Sequence, residues 1–236
     1  MLTTTKNPLQ MYRMAEKLYE ERQIDWVAET AEYIVSFRDW AIEPDLVART
    51  ISPTKVRRMP KDLATGGAFF FPIYDNLDCL NLAQLRFIKP NGYVEKYFIG
   101  EKRGHLSATW YGMDKFTANQ IILKKRVIIV EGPFDALACQ IALGTNDFPI
   151  LCAFGKKLNK KQIFDLELLG VNRVLLMFDQ DQVGKRGAND EMLRLPFKVQ
   201  ILKCPTEVGG DPSDSLKTMK SFNTLGNLLH MATGVK

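Results

Sequence analysis

Residues 126–144, RVIIVEGPFDALACQIALG, and residues 173–188, RVLLMFDQDQVGKRGA, decide the fold class. Each opens with a near-continuous apolar run of strand length, and each run ends on a carboxylate, Glu131 after RVIIV and Asp179 after RVLLMF. Strands that are apolar on both faces belong to parallel sheets covered by helices. The segments between carry helix punctuation: Pro133 in a first turn with Gly144 just past the end of a helix over 133–143. Asn159 with Gln162 forms a capping-box-like pair, and Gly170 ends that second helix. Further strands at 149–154 and 198–203 and a helix from about 185 to 195 complete a regular alternation. The expectation is an α/β domain with a Rossmann-like parallel sheet and flanking helices.

Upstream the period changes. Residues 66–112 hold short β-type runs, GGAFFFPIYDN, LNLAQLRFI and YVEKYFI, separated by Asn-Leu-Asp and Pro-Asn-Gly turn signals. They predict a small antiparallel sheet. Residues 8–38 place Met11, Met14, Leu18, Trp26 and Ile34 at helical spacing, which predicts two helices broken near residues 23–25. The fold is therefore expected as a smaller α+β unit, residues 1–120, followed by the α/β unit with a helical tail, residues 121–236.

Composition narrows the function classes. At 236 residues and 46% apolar, the chain is ordinary for a globular protein, and no apolar run approaches the roughly 18 residues of a membrane span. The N-terminus carries no secretory pattern, so a cytoplasmic location is expected. Cys79, Cys139, Cys152 and Cys204 form no C-x-x-C pair and only two histidines exist, so zinc is not expected and the cysteines read as small buried hydrophobes. Charge is uneven: residues 1–50 carry net −3, residues 51–125 net +6 and residues 126–236 net +2. In the cationic middle, Lys55, Arg57, Arg58, Lys61, Arg86, Lys89, Lys96, Lys102 and Arg103 alternate with Phe87, Tyr93, Tyr97, Trp110 and Tyr111, a mixture suited to single-stranded nucleic acid.

Open parallel sheets bind ligands beyond the carboxyl ends of their strands. Three successive ends here are acidic: Glu131 with Asp135 one turn on; Asp179 and Asp181, two apart and able to face one way; and Gly209-Gly210-Asp211-Pro-Ser-Asp214. Gly132 and Gly184 are expected to leave room for a ligand nearby. Any one carboxylate is accounted for as a helix N-cap, but their gathering at one edge calls for a neutralising cation. Oxygen donors without a suitable His or Cys select Mg²⁺ or Mn²⁺ over zinc. Two such ions suit in-line phosphoryl transfer.

EGPFDA (131–136) and LLMFDQDQVGKRGA (175–188) resemble the TOPRIM domain shared by DnaG-type primases, type IA and II topoisomerases and some nucleases. LKCPTEVGGDPSD (202–214) is similar to the Asp-containing turn that follows the next strand in primases, although Ser213 stands where an Asp is usual and Asp214 comes one later. FFFPIYDNLDCLNLAQLRF, VEKYFIGEKRG and WYGMDKF resemble the primase segment ahead of the TOPRIM domain. The resemblance spans roughly residues 45–217. It implies a primase catalytic core, a nucleotidyltransferase that makes short RNA primers from NTPs on a single-stranded DNA template.

By that resemblance Asp179, Asp181 and Asp211 bind metal, with Asp214 auxiliary and Asp135 a structural partner. Glu131 is either a ligand or the base for the attacking hydroxyl. Arg86 and Lys96 correspond to basic residues lining the template and nucleotide groove, and the Lys156-Lys157 pair adds positive charge for phosphates. Neither an N-terminal zinc module nor a helicase phosphate loop is seen, so a replicative helicase and a separate template-recognition protein are expected partners, docking on the acidic N-terminal helices, as in phage replication with dispersed genes. Two rivals use the same features: a metal-dependent DNA nuclease, and a nucleic-acid-binding accessory subunit with a vestigial site. A topoisomerase lacks chain for its tyrosine-bearing domain.

Overall fold

The computed structural model describes residues 8–51, 56–59, 68–75, 77–88, 94–100, 109–204 and 210–235. Lys55, Lys61, Lys89, Tyr93, Lys102, Arg103 and Gly209, and the Pro-Asn-Gly turn, lie outside the described residues, as do the side chains of Arg57 and Tyr97. Helices α1 (Pro8–Glu21), α2 (Trp26–Arg38) and α3 (Pro44–Thr50) come first. Asp25 caps α2 by accepting from the Val27 and Ala28 amides, which fixes the break expected there. Helix α3 was not expected, being only seven residues long, too short for a periodic signal.

The first sheet runs β1 (Arg57–Met59), β2 (Ala68–Tyr74), β3 (Leu80–Ile88) and β4 (Val94–Gly100), all antiparallel and in that order. β1 is an addition to the expected strands. Its three residues pair with positions 68–70 of β2.

The second sheet contains β5 (Arg126–Val130), β6 (Ile150–Cys152), β7 (Arg173–Met177) and β8 (Lys198–Ile201), all parallel, in the order β6-β5-β7-β8. Helices α4 (Lys115–Lys124), α5 (Pro133–Leu143), α6 (Lys160–Leu168), α7 (Gln182–Arg194) and α8 (Met219–Thr233) surround it. The chain leaves β5 on one side for β6 and then crosses to the other side for β7. The β5/β7 boundary is thus a topological switch point, where a crevice opens beyond the strand ends.

Helix α5 carries the junction between the two sheets. All eleven of its residues are buried, which is why PFDALACQIAL lacks a polar stripe. Phe134 on α5 stands edge-on to Phe69 and Phe71 of β2, with ring centroids 5.2 and 5.1 Å apart, and Phe71 stands edge-on to Tyr111 at 5.7 Å. Each buried Phe contributes about 1.5–3 kcal/mol, and each such ring pair about 0.5–1.5 kcal/mol more. Phe69, Phe71, Phe134, Ile34, Val47 and Leu229 therefore belong to one core that crosses from the first sheet to the second.

The far face of the parallel sheet packs separately under α4, α6 and α7 through Ile121, Leu166 and Ala188. Cys139, Cys152 and Cys204 are buried as expected, whereas Cys79 is exposed. Among the described residues no helix is long and apolar enough to cross a membrane.

Candidate active site

Glu131 leaves the end of β5 and accepts the Asp179 backbone N–H at 2.8 Å, so its carboxylate joins the two strands at the switch point. From below, the Cys152 thiol donates to the Glu131 carbonyl at 3.1 Å. Burial pushes the Glu131 carboxyl up to about 7, with Asp179 and Asp181 adding repulsion that Lys156 and the Asp179 amide partly offset. Asp179 is pushed to about 6, first by burial and then by the charge of Asp211. Asp135 is fully buried and raised further, by burial and by Asp211 and Asp179, against Arg38 and Arg86. Its two oxygens accept the Gly132 amide at 2.9 Å and the Ser213 amide at 3.3 Å, tying the start of α5 to the 210–217 turn.

The remaining acids are engaged differently. Asp181 is the N-cap of α7, accepting the Gly184 amide at 2.5 Å, and this starts the helix at Gln182 rather than at residue 185 as expected. Its exposed carboxylate also meets Lys156 Nζ at 3.0 Å. Asp211 accepts the Asp214 amide at 2.6 Å, while Asp214 itself turns to Lys217 at 2.6 Å and Arg38 at 3.5 Å. At Gly132 and Gly184 the place of a side chain is already taken by the site itself. A Cβ on Gly132 would meet Asp135 Oδ2 at 2.7 Å, and one on Gly184 would meet the Asp179 carbonyl at 2.2 Å, so both glycines serve close packing within the site.

The first sheet supplies the facing charge. Arg86 and Lys96 are directly paired across β3 and β4. The Arg86 guanidinium lies over Phe134 at 5.0 Å and Phe71 at 5.5 Å, and its Nε donates to Gln84 Oε1 at 2.8 Å. Burial lowers the Arg86 pKa, and the neighbouring Asp135 carboxylate opposes this. Lys96 is lowered by desolvation and by Arg86, with Asp135 and Asp179 pulling the other way. Arg86 Nη2 lies 3.7 Å from the position a Cβ would take on Gly132, beside the Asp135 carboxylate. Lys157 is exposed.

Arg38 was missed from sequence. It donates to Ser213 Oγ, pairs with Asp214 and stacks over Phe134 at 5.3 Å, while Trp40 Nε1 donates to the Ser213 carbonyl at 2.8 Å. An Arg in the last turn of a helix already has a local explanation in the helix dipole, so spacing gave no signal.

Among the described residues no group of three or more His, Cys, Asp or Glu is arranged to hold a metal ion. The donor set nevertheless fits a hard cation: it offers carboxylate oxygens, two of them raised by unneutralised burial, and the Lys156 ammonium already stands as a cation between Glu131 and Asp181.

Residues 126–197 match the family model described as "Toprim domain". This stretch is a Toprim domain. Its match ends at residue 197 and leaves β8 and the Asp211 turn outside. A DNA primase of Chlamydia muridarum is 31% identical over 166 residues, which cover 67% of this chain. The chain spans only 26% of that protein's length. Beyond the Toprim domain the fold continues to match primase cores. The RNA polymerase domain of Mycobacterium tuberculosis primase DnaG, solved with double-stranded DNA, aligns over 97% of this chain and 81% of its own, with TM-score 0.62 and 15% identity. The primase fragment of the bacteriophage T7 primase-helicase aligns over 82% of this chain and 71% of its own, with TM-score 0.54 and 14% identity. The Toprim domain and the antiparallel sheet ahead of it together have the primase catalytic-core fold.

Proposed function

We propose that the chain is a primase catalytic core, a nucleotidyltransferase that copies single-stranded DNA into short RNA primers from NTPs. The observation that carries this is the meeting of two walls: the Arg86 guanidinium, paired with Lys96 across the antiparallel sheet, lies over Phe134 at the start of α5 and 3.7 Å from the position a Cβ would take on Gly132, beside the Asp135 carboxylate. Residues 1–120 would supply the cationic wall and residues 121–236 the acidic one. Phosphate contacts from Arg86, Lys96, Lys156 and Lys157 would set template and triphosphate position without reading sequence. Half-buried Arg86, held over two rings, is preorganised for such a contact.

Glu131, Asp179, Asp181 and Asp211 would hold Mg²⁺ or Mn²⁺, in one or two sites, with Asp214 auxiliary. A bound ion of this kind supplies positive charge to the triphosphate and lowers the pKa of the attacking 3′-hydroxyl. Should Glu131 stay outside that ligand set, its carboxyl, raised to about 7, would instead accept the hydroxyl proton near neutral pH. Asp135 and Arg38 would hold the 210–217 turn in register with α5 rather than touch substrate. A replicative helicase and a template-recognition protein remain the proposed partners.

The test is incubation with single-stranded DNA and labelled NTPs in Mg²⁺ or Mn²⁺, beside an Asp179→Asn, Asp181→Asn double variant. Short oligoribonucleotides made only by the unmutated chain support the proposal. Shortened DNA would point to a nuclease, and no product even from a supplied primer to an accessory subunit.

A further inference from the structure

Lys156 reaches the carboxylates by a specific route. After β6 the chain turns sharply at Phe154, a non-glycine residue with φ of 58°, in the left-handed region that is costly for a bulky side chain. The following segment then comes down on α7 at Gly187, where an added Cβ would lie 3.0 Å from both the Lys156 Cβ and the Lys156 carbonyl. A glycine in the middle of a helix costs about 1 kcal/mol relative to alanine, and here it admits the backbone of Lys156. The ammonium ends 3.0 and 3.2 Å from the two Asp181 oxygens and 3.7 Å from Glu131 Oε2. It thus joins the end of β5 to the cap of α7. Neighbouring Lys157 is exposed.

We infer that Lys156 is a built-in counter-cation: its ammonium takes the place of a divalent ion between Glu131 and Asp181, and metal entry must displace it. The inference rests on the metal-dependent reading above. Two like charges cannot share one pair of carboxylates at close range without repulsion. Lys156 therefore weakens metal binding while holding the acids together in the metal-free chain. Once displaced, the ammonium remains in the cleft as a free donor for nucleotide phosphate, so metal loading and phosphate capture become coupled.

The test is direct Mn²⁺ binding to the full chain, by calorimetry and by the loss of free-ion electron paramagnetic resonance signal, with no nucleotide present. Lys156→Met is expected to tighten Mn²⁺ binding roughly 2- to 5-fold, the equivalent of an exposed ion pair. Lys156→Arg should bind as the unmutated chain does, and so should Lys160→Met, which removes an exposed charge from the start of α6. Gly187→Ala, which crowds the Lys156 backbone, should move affinity in the same direction as Lys156→Met by a smaller factor. Unchanged or weaker Mn²⁺ binding by Lys156→Met overturns the inference and leaves the metal-dependent reading standing. Absence of Mn²⁺ binding by the unmutated chain and by Lys156→Met alike would remove both.

Discussion

The parallel sheet delivers its carboxylates from strand ends, whereas the antiparallel sheet delivers its cations from the middle of strands. Glu131 follows directly on β5 and Asp179 comes two residues after the end of β7, and the Glu131 carboxylate accepts the Asp179 amide, so backbone topology alone brings them together. Arg86 and Lys96 meet because of cross-strand register, and Arg86 is then fixed by one ring from β2 and one from α5. One wall is built by chain connectivity, the other by side-chain packing. Changes to the acidic wall should therefore abolish chemistry with the fold intact, while changes beneath the basic wall should loosen the fold and misplace its charges.

The largest effect should come from Asp179→Asn. It removes charge where metal and triphosphate are proposed to meet, and primer synthesis should fall about 10³-fold, on the order of 4 kcal/mol, with an unchanged circular-dichroism spectrum. Phe134→Ala attacks the other side of the comparison. It empties the ring cluster shared by the sheets and should cost about 3–5 kcal/mol in urea unfolding. A cost under about 1 kcal/mol would show that the two sheets do not depend on that contact.

Arg86→Lys keeps the charge but loses the flat stacked fork. It should raise the KM for NTP or template about 10-fold with a smaller change in kcat.

A pH series separates the walls again. Carboxyl groups whose pKa is raised by folding bind protons more tightly in the folded state. Their contribution to stability is full below the ordinary carboxylate value of about 4. It is lost as pH climbs through about 6 for Asp179 and about 7 for Glu131. In EDTA the urea midpoint should fall between about pH 4 and pH 7, and Asp179→Asn should flatten that fall. A midpoint rising across the same window would contradict the unneutralised acidic wall. The smallest effect is expected from Asp214→Asn, about 1 kcal/mol or less of stability by thermal melting, because that carboxylate sits with Arg38 and Lys217 at the edge of the site.

The same contrast explains what could be read from sequence. RVIIV-Glu and RVLLMF-Asp announce buried parallel strands and their ends, and the order β6-β5-β7-β8 follows the rule that places ligands at such ends. Asn159 with Gln162 forms the capping box read from their spacing. Capping also misled, since the Asp179-Gln-Asp181 pattern looked like a strand continuation with both acids facing one way, whereas Asp181 begins α7. Arg38 was invisible because its partners, Ser213 and Asp214, lie 175 and 176 residues away. The same holds for the seat of Arg86 on Phe71 and Phe134, which requires two sheets to be in place before it exists.

The central claim is that the two walls together copy a template. An RNA primer annealed to oligo-dT or oligo-dA templates, supplied with one labelled NTP at a time in Mn²⁺, tests it most directly. The account predicts that ATP is added on oligo-dT and UTP on oligo-dA, each lost in Asp179→Asn. Addition that ignores the template base, or shortening of the DNA in place of extension, would contradict it.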